Sequence, residues 1–286
     1  MIDNTEEPKR KIVQLYFRPA YSLKDQYYNL KQARKSVICH AFGDDSDKMD
    51  YTLEDVVSKY RNMADSEEVD IDCEIEQFVA TIRNWRAEKT QMKRQLSEKE
   101  RLRKVLLRFA RQAGGKVLFD LRLTNKDTNS EMDAVLITKT GIFPFAIRTS
   151  NGPSGIDNEG NYCWFDIDTL SVKKVNVRNE QESQKQIFQG ILDKDPELHE
   201  IHPVLIIGGD NMFICQNQED ICFGHFYEIE EIIGRWDKEV FNQEEIDHIV
   251  RKITAPEVKL PKEKIRFRSP LVEDYCRLIM RFQKSK

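Results

Sequence analysis

The sequence predicts an α/β fold, a mixed β-sheet flanked by helices and preceded by a helical, coiled-coil-like region. Three observations predict it. Apolar residues recur at three- and four-residue steps up to about residue 113. The period then drops to two over residues 116–149, and from there strands and helices alternate towards the C-terminus. The 286 residues suffice for two units, on a prior of about 100–200 residues per domain. The expected division is a helical region over 1–97 and an α/β domain with C-terminal helices over 98–286.

In SLKDQYYNLKQARKSVICHAF, Leu23, Tyr27, Leu30, Ala33 and Val37 form an amphipathic stripe behind the cap Ser22. GDDSDKMD (43–50) reads as an acidic, solvated turn. Thr52 and Asp55 then frame a helix start before Leu53, Val56, Val57 and Tyr60. From Ile71 a heptad seam runs through Ile75, Phe78, Ile82, Trp85, Lys89, Met92 and Leu96, to be buried against helices of the same chain or against a second copy. Ser97 and Glu100 have capping-box spacing and predict a fresh helix from about 98 to Ala113, closed by Gly114 and Gly115. Its inward stripe is Leu102, Leu106, Phe109 and Ala113. Arg101, Lys104, Arg108 and Arg111 occupy its remaining surface, as a solvated face or a phosphate-binding one.

KVLFDLRL (116–123), DAVLIT (133–138) and GIFPFAIRT (141–149) read as strands, the last two joined by a tight turn at Lys139-Thr140-Gly141. Pro144 conflicts with a central strand, because it removes a ladder donor. NGPSGIDNEGN reads as a loop in which Asp157 and Glu159 are turn residues. YCWFDID and SVKKVNV are further strands, followed by a helix over 179–193, strands at 202–209 and 212–216, and helices near 228–235, 243–253 and 270–283.

Composition excludes several classes. No apolar run approaches the roughly 20 residues of a membrane span, and MIDNTEEPKRK has no signal-like apolar core, so the expectation is a cytoplasmic protein without membrane contact. The six cysteines form no CxxC pair or Cys/His cluster, which points to reduced thiols rather than zinc or disulfides. The five histidines show no triad spacing, and no GxxxxGK[ST] loop occurs. A net charge of -4 argues against a general DNA-coating protein but leaves room for a local basic patch.

EMDAVLITKTGIFPFAIRTSNG (131–152) carries the chemistry. Side chains two apart on a strand share a face, so Ala146 and Arg148 lie side by side, with Asp133 expected opposite them on the neighbouring strand. This stretch, with the basic helix before it and a Gln-containing helix after it, resembles the nuclease-related domain (NERD) family, a branch of the PD-(D/E)XK nuclease group. The resemblance covers about residues 98–210. It implies a PD-(D/E)XK-like sheet and a divalent metal, Mg2+, held by a strand acid and a Glu-x-Lys. The acid falls on Asp133, the Glu on Ala146 and the Lys on Arg148. The family's glutamine helix is matched loosely by Gln184 and Gln186, and an acid on the first helix has no counterpart between Arg101 and Ala113.

Magnesium is usually held by one or two carboxylates plus waters, so losing one weakens the site. Arginine keeps the charge and grips phosphate, but its pKa is too high for a tuned base. Glu131, two residues before Asp133, and Glu182 are the candidates for a displaced carboxylate. The residual set is therefore Asp133, Arg148, Glu131 and Gln184 for chemistry, with Asp133 and Glu131 towards metal. Arg101, Lys104, Arg108, Arg111 and Arg148 are assigned to nucleic acid. The resulting expectation is an eroded, catalytically weak or inactive site that binds nucleic acid, DNA in preference to RNA, or a nucleic-acid-processing partner. The alternatives are an active magnesium-dependent nuclease with a relocated carboxylate, and a scaffold that self-associates or takes a protein partner through helices in 71–96. An ion pair of Arg148 with Glu131 or Asp133 is the structural alternative for that arginine.

Overall fold

The computed structural model describes residues 19–43, 50–125, 128–166, 170–192, 200–209, 212–215, 220–256, 258–260 and 268–284. The acidic stretch from Asp44 to Met49 lies outside the described residues. The fold is α/β, with helices α1 (Leu23–Phe42), α2 (Leu53–Glu67) and α3 (Asp72–Ala113) preceding the strands. Two compact units emerge, residues 1–93 with 262–286, and residues 94–261.

The first unit is helical. Ser22 caps α1, accepting from the Asp25 N–H. Thr52 and Asp55 form the predicted capping box of α2. The heptad seam on α3 is buried in this unit's own core. Ile71, Ile75, Phe78, Ile82, Trp85 and Met92 pack with α1, α2 and the C-terminal helix α7 (Pro270–Lys284). A dimer through the same seam would need these side chains exposed. Lys89, the polar member, lies over the Trp85 ring at 5.0 Å. Helix α7 thus groups with the N-terminal helices, whereas the sequence had assigned it to the α/β part.

No helix starts at residue 98. Helix α3 passes through Ser97 without a break, because Leu96, Glu98, Lys99 and Glu100 are all good helix formers and one mid-helix serine does not interrupt them. The boundary between units lies at 93/94, within this helix. The inward stripe beyond it is Leu102, Leu106 and Ala110, with Phe109 partly buried; Ala113 is only half-buried.

The second unit contains β1 (Lys116–Asn125), β2 (Thr128–Thr138), β3 (Gly141–Thr149), β4 (Ser154–Ile156), β5 (Asn161–Asp166), β6 (Ser171–Asn176), β7 (Val204–Gly208), β8 (Phe213–Cys215) and β9 (Phe223–Gly224). A five-stranded sheet has the order β1-β2-β3-β7-β9, and a four-stranded sheet the order β6-β5-β4-β8. Both are mixed, since β7 runs parallel to β3 and β8 parallel to β4. Strands β4 and β9 are too short for a period to reveal them, and β4 falls inside the stretch expected to be a loop.

Each face of the larger sheet has its own cover. Leu121, Leu123, Val135, Ile137 and Ile142 pack under α4 (Val177–Leu192) and α6 (Gln243–Thr254). Ala134, Leu136, Phe143, Phe145, Val204 and Ile206 pack under the second part of α3 and the short α5 (Ile229–Gly234). A fully buried side chain of this kind contributes about 1.5–3 kcal/mol.

Pro144 sits in a central strand after all. The bridge Ile142↔Ile201 and the ladder starting at Phe145↔Val204 keep one register, and pairing lapses only between them, where Pro144 brings no N–H donor towards β7. The proline lies at a gap in the ladder that the sheet tolerates.

Candidate functional site

The fork between β2 and β3 is the centre of the site. Their antiparallel ladder runs from Thr138↔Gly141 to Ala134↔Phe145 and ends there. From Phe145 to Thr149 strand β3 stays paired with β7. The next backbone donor on β3, the Ile147 N–H, is taken by the Asp133 carboxylate, with Oδ2 accepting at 2.7 Å. Asp133 therefore ends the ladder with its side chain, satisfying a donor that backbone pairing leaves open.

Strands β1 and β2 turn over at this level. Phe119 and its partner Ala134 face the α3 side, whereas Leu121 and its partner Met132 face the α4 side. Regular alternation would put residues two apart on one face. The break falls on Asp120 and Asp133, which the register sets opposite each other. Asp120 takes up the irregularity in the left-handed region, at φ 50°. An aspartate tolerates that conformation better than a branched or aromatic residue would.

Lys99 of α3 bridges the two acids. Its Nζ lies 2.7 Å from Asp133 Oδ1 and 3.0 Å from Asp120 Oδ1. Burial alone would lower the Lys99 pKa, but the charges and hydrogen bonds of Asp133 and Asp120 together outweigh it and hold the ammonium above the usual lysine range. Both Asp133 oxygens are thus engaged within the protein.

Ala146 and Arg148 serve other ends. Ala146 is buried in an apolar cluster with Ile156, Tyr162, Val177, Leu205 and Ile207, which joins the larger sheet to the smaller one. Its methyl fills a packing position. Arg148 is bound to Glu180 on α4, which accepts from Nη2 through both oxygens at 2.5 and 2.6 Å. Its ion-pair partner is therefore neither Glu131 nor Asp133.

The structure does not bring the remaining assigned residues to Asp133. Glu131 faces its cross-strand neighbour Arg122, in an ion pair of 2.6 Å, and is largely exposed. Gln184 is buried on the inner side of α4, where the adjacent Gln181 donates to the Cys222 carbonyl at 2.8 Å. Gln186 donates to Glu182 on the exposed side. Asp157 is a turn residue, accepting from the Glu159 and Asn161 N–H groups. Arg101, Lys104, Arg108 and Arg111 are all exposed along α3. Arg101 stacks over Phe226 at 4.8 Å and Arg108 pairs with Glu230 at 3.1 Å, while Lys104 and Arg111 make no ion pair with a described residue.

Four residues of this site escaped the sequence reading: Lys99, Asp120, Glu180 and Glu98. Glu98 is an acid on α3, three residues before Arg101. Its Oε2 is buried without a hydrogen-bond partner among the described residues, and its stem lies where a Cβ on Gly208 would meet it at 3.2 Å. A signal for Asp120 was present, since aspartate is depleted in strands and interrupts the alternation of KVLFDLRL.

The donor set does not fit a magnesium ion as it stands. Such a site asks for one or two available carboxylates with room for water. Both Asp133 oxygens already accept a contact from the chain, position 146 supplies a methyl, Glu180 is clamped by Arg148, and the Glu98 Oε2 lies 3.9 Å from the Arg101 guanidinium. Among the described residues no group of three or more His, Cys, Asp and Glu side chains converges.

No curated protein and no solved structure matches the chain. The stretch from the second part of α3 to the end of β7, residues 94–208, matches the family model of the nuclease-related domain (NERD).

Proposed function

We propose that this protein binds nucleic acid, DNA in preference to RNA, through a nuclease-related domain whose metal site is eroded, and that it does not cleave efficiently. One observation carries the reading: the acid of the family's motif, Asp133, is bonded on both oxygens to the chain itself, to Lys99 and to the Ile147 N–H. Ala146 adds to it, because a methyl in an apolar cluster neither binds a hard cation nor leaves space for one.

Phosphate binding rests on α3 rather than on Arg148. Arg101, Lys104, Arg108 and Arg111 follow one another at three- and four-residue steps and are exposed, Arg101 beside Glu98 and Arg108 beside Glu230. Such a row tracks a phosphate backbone, and each contact releases counterions, so affinity falls as salt rises. Arg148 reaches a phosphate only by exchanging Glu180 for it. No helix among the described residues is long and apolar enough to cross a membrane.

The test is a paired measurement on the intact protein. Fluorescence-anisotropy titration with labelled single- and double-stranded DNA and RNA is run across a salt series for wild type and for Arg101→Ala/Lys104→Ala/Arg108→Ala/Arg111→Ala. Binding that weakens with salt, and a shallower slope in the variant, support the reading. In parallel, the same substrates are incubated with Mg2+ or Mn2+. Chelator-sensitive cleavage that disappears in Asp133→Ala overturns it in favour of an active nuclease.

A further inference from the structure

Lys99 stands where the family resemblance calls for a metal. Its ammonium lies 2.7 Å from Asp133 and 3.0 Å from Asp120, two carboxylates that the register sets opposite each other on neighbouring strands. Two further features show that the arrangement is built into the fold. Strands β1 and β2 both turn over at this pair, and Asp120 adopts a left-handed conformation that a regular strand would not need. Without a cation between them, two like charges this close repel.

We propose that Lys99 is the resident cation of this site: it neutralises Asp133 and Asp120 in place of a divalent ion, closes the site to metals, and its removal opens a divalent-cation site between the two aspartates. The inference rests on the eroded-site reading above and goes beyond it by naming the group that does the closing. The charge balance carries it. The trio has a net charge of -1 with the ammonium in place and -2 without it, and a pair of carboxylates with access to water is what a hard divalent cation accepts. Asp120 is largely exposed, so water reaches the vacated position.

The experiment is a Mn2+ titration of the full chain followed by calorimetry and by amide NMR, using paramagnetic broadening of the Ile147 signal as the local reporter. Wild type is expected to keep a sharp Ile147 resonance in millimolar Mn2+. Lys99→Ala is expected to bind one Mn2+ at least about tenfold more tightly than wild type, with Ile147 broadened, as two freed carboxylates should allow. Adding Asp133→Asn should abolish the gain. Lys99→Gln keeps a hydrogen bond to one carboxylate without the charge, and serves if the alanine variant folds poorly. Broadening of Ile147 in wild type overturns the proposal whether or not any variant folds. So does the absence of a gain in the Lys99 variants. Magnesium-dependent cleavage by wild type would defeat the proposed function and this inference with it, whereas a non-cleaving wild type whose Lys99 variants gain no metal defeats this inference alone.

Discussion

Replacing Asp133 by alanine tests whether the motif acid has become a structural joint. The substitution removes the acceptor of the Ile147 N–H, a hydrogen bond to a charged group, which contributes about 1.5–3 kcal/mol. It also removes one partner of Lys99. The lysine side chain is 37% exposed, so solvent screening limits that pair to about 1 kcal/mol or less. The expected loss is about 3 kcal/mol, a large part of the roughly 5–15 kcal/mol that keeps a domain folded. Asp133→Asn retains an oxygen for Ile147 and should cost about half as much. In a double-mutant cycle with Lys99→Ala, the coupling should stay at about 1 kcal/mol, because most of the Asp133 contribution goes through the backbone of β3. Urea unfolding followed by the fluorescence of Trp164 and Trp236, both in the α/β unit, measures each quantity. A loss of under about 0.5 kcal/mol in Asp133→Ala would refute the reasoning, since the Ile147 bond would then be stabilising nothing.

Three other outcomes follow from the packing and electrostatics of the same unit. Leu106→Ala should destabilise by about 2–5 kcal/mol, because the side chain is fully buried among Phe143, Phe145 and the α5 isoleucines; thermal unfolding reads it. Gly155→Ala should loosen the smaller sheet, since a Cβ there would lie 2.2 Å from the Ile214 carbonyl across the β4–β8 ladder, and faster amide exchange over residues 154–156 would report it. Burial lowers the His202 pKa below 6.5 more than Glu200 raises it, so the unfolded chain takes up a proton first. That contribution to stability is complete above pH 6.5 and is lost as pH falls towards the lowered folded value. His202→Gln should therefore show a smaller drop in Tm between pH 7.5 and 5.5 than wild type, whatever the loss of its stacking on Trp236 costs at both.

Local signals in the chain were enough for the helices and the main strands. Ser22, Thr52 and Asp55 announced two helix starts, the apolar rhythm of β2 and β3 announced buried strands, and DAVLITKTGIF with the basic helix before it carried the family resemblance. The same local reasoning misplaced a helix start at Ser97, because a capping box is only a permission to begin and the surrounding helix formers left nothing to begin. It also missed β4 and β9, whose two or three residues hold no period and exist through their partners.

What the sequence by itself determined was the inventory: an acid at 133, a methyl at 146, a guanidinium at 148 and a row of bases on the helix before them. Only the tertiary structure decided their partners. Lys99 reaches Asp133 because the second part of α3 lies over a fork in the sheet, and Arg148 turns to Glu180 because α4 begins beside β3. Ala146 is apolar packing because a second sheet closes on it. Periodicity is set by bonds a few residues apart and can be read along the chain. The field around a charge is set by residues far away in sequence, and for Asp133 by Lys99 and the Ile147 N–H, which the fold brings to its two oxygens.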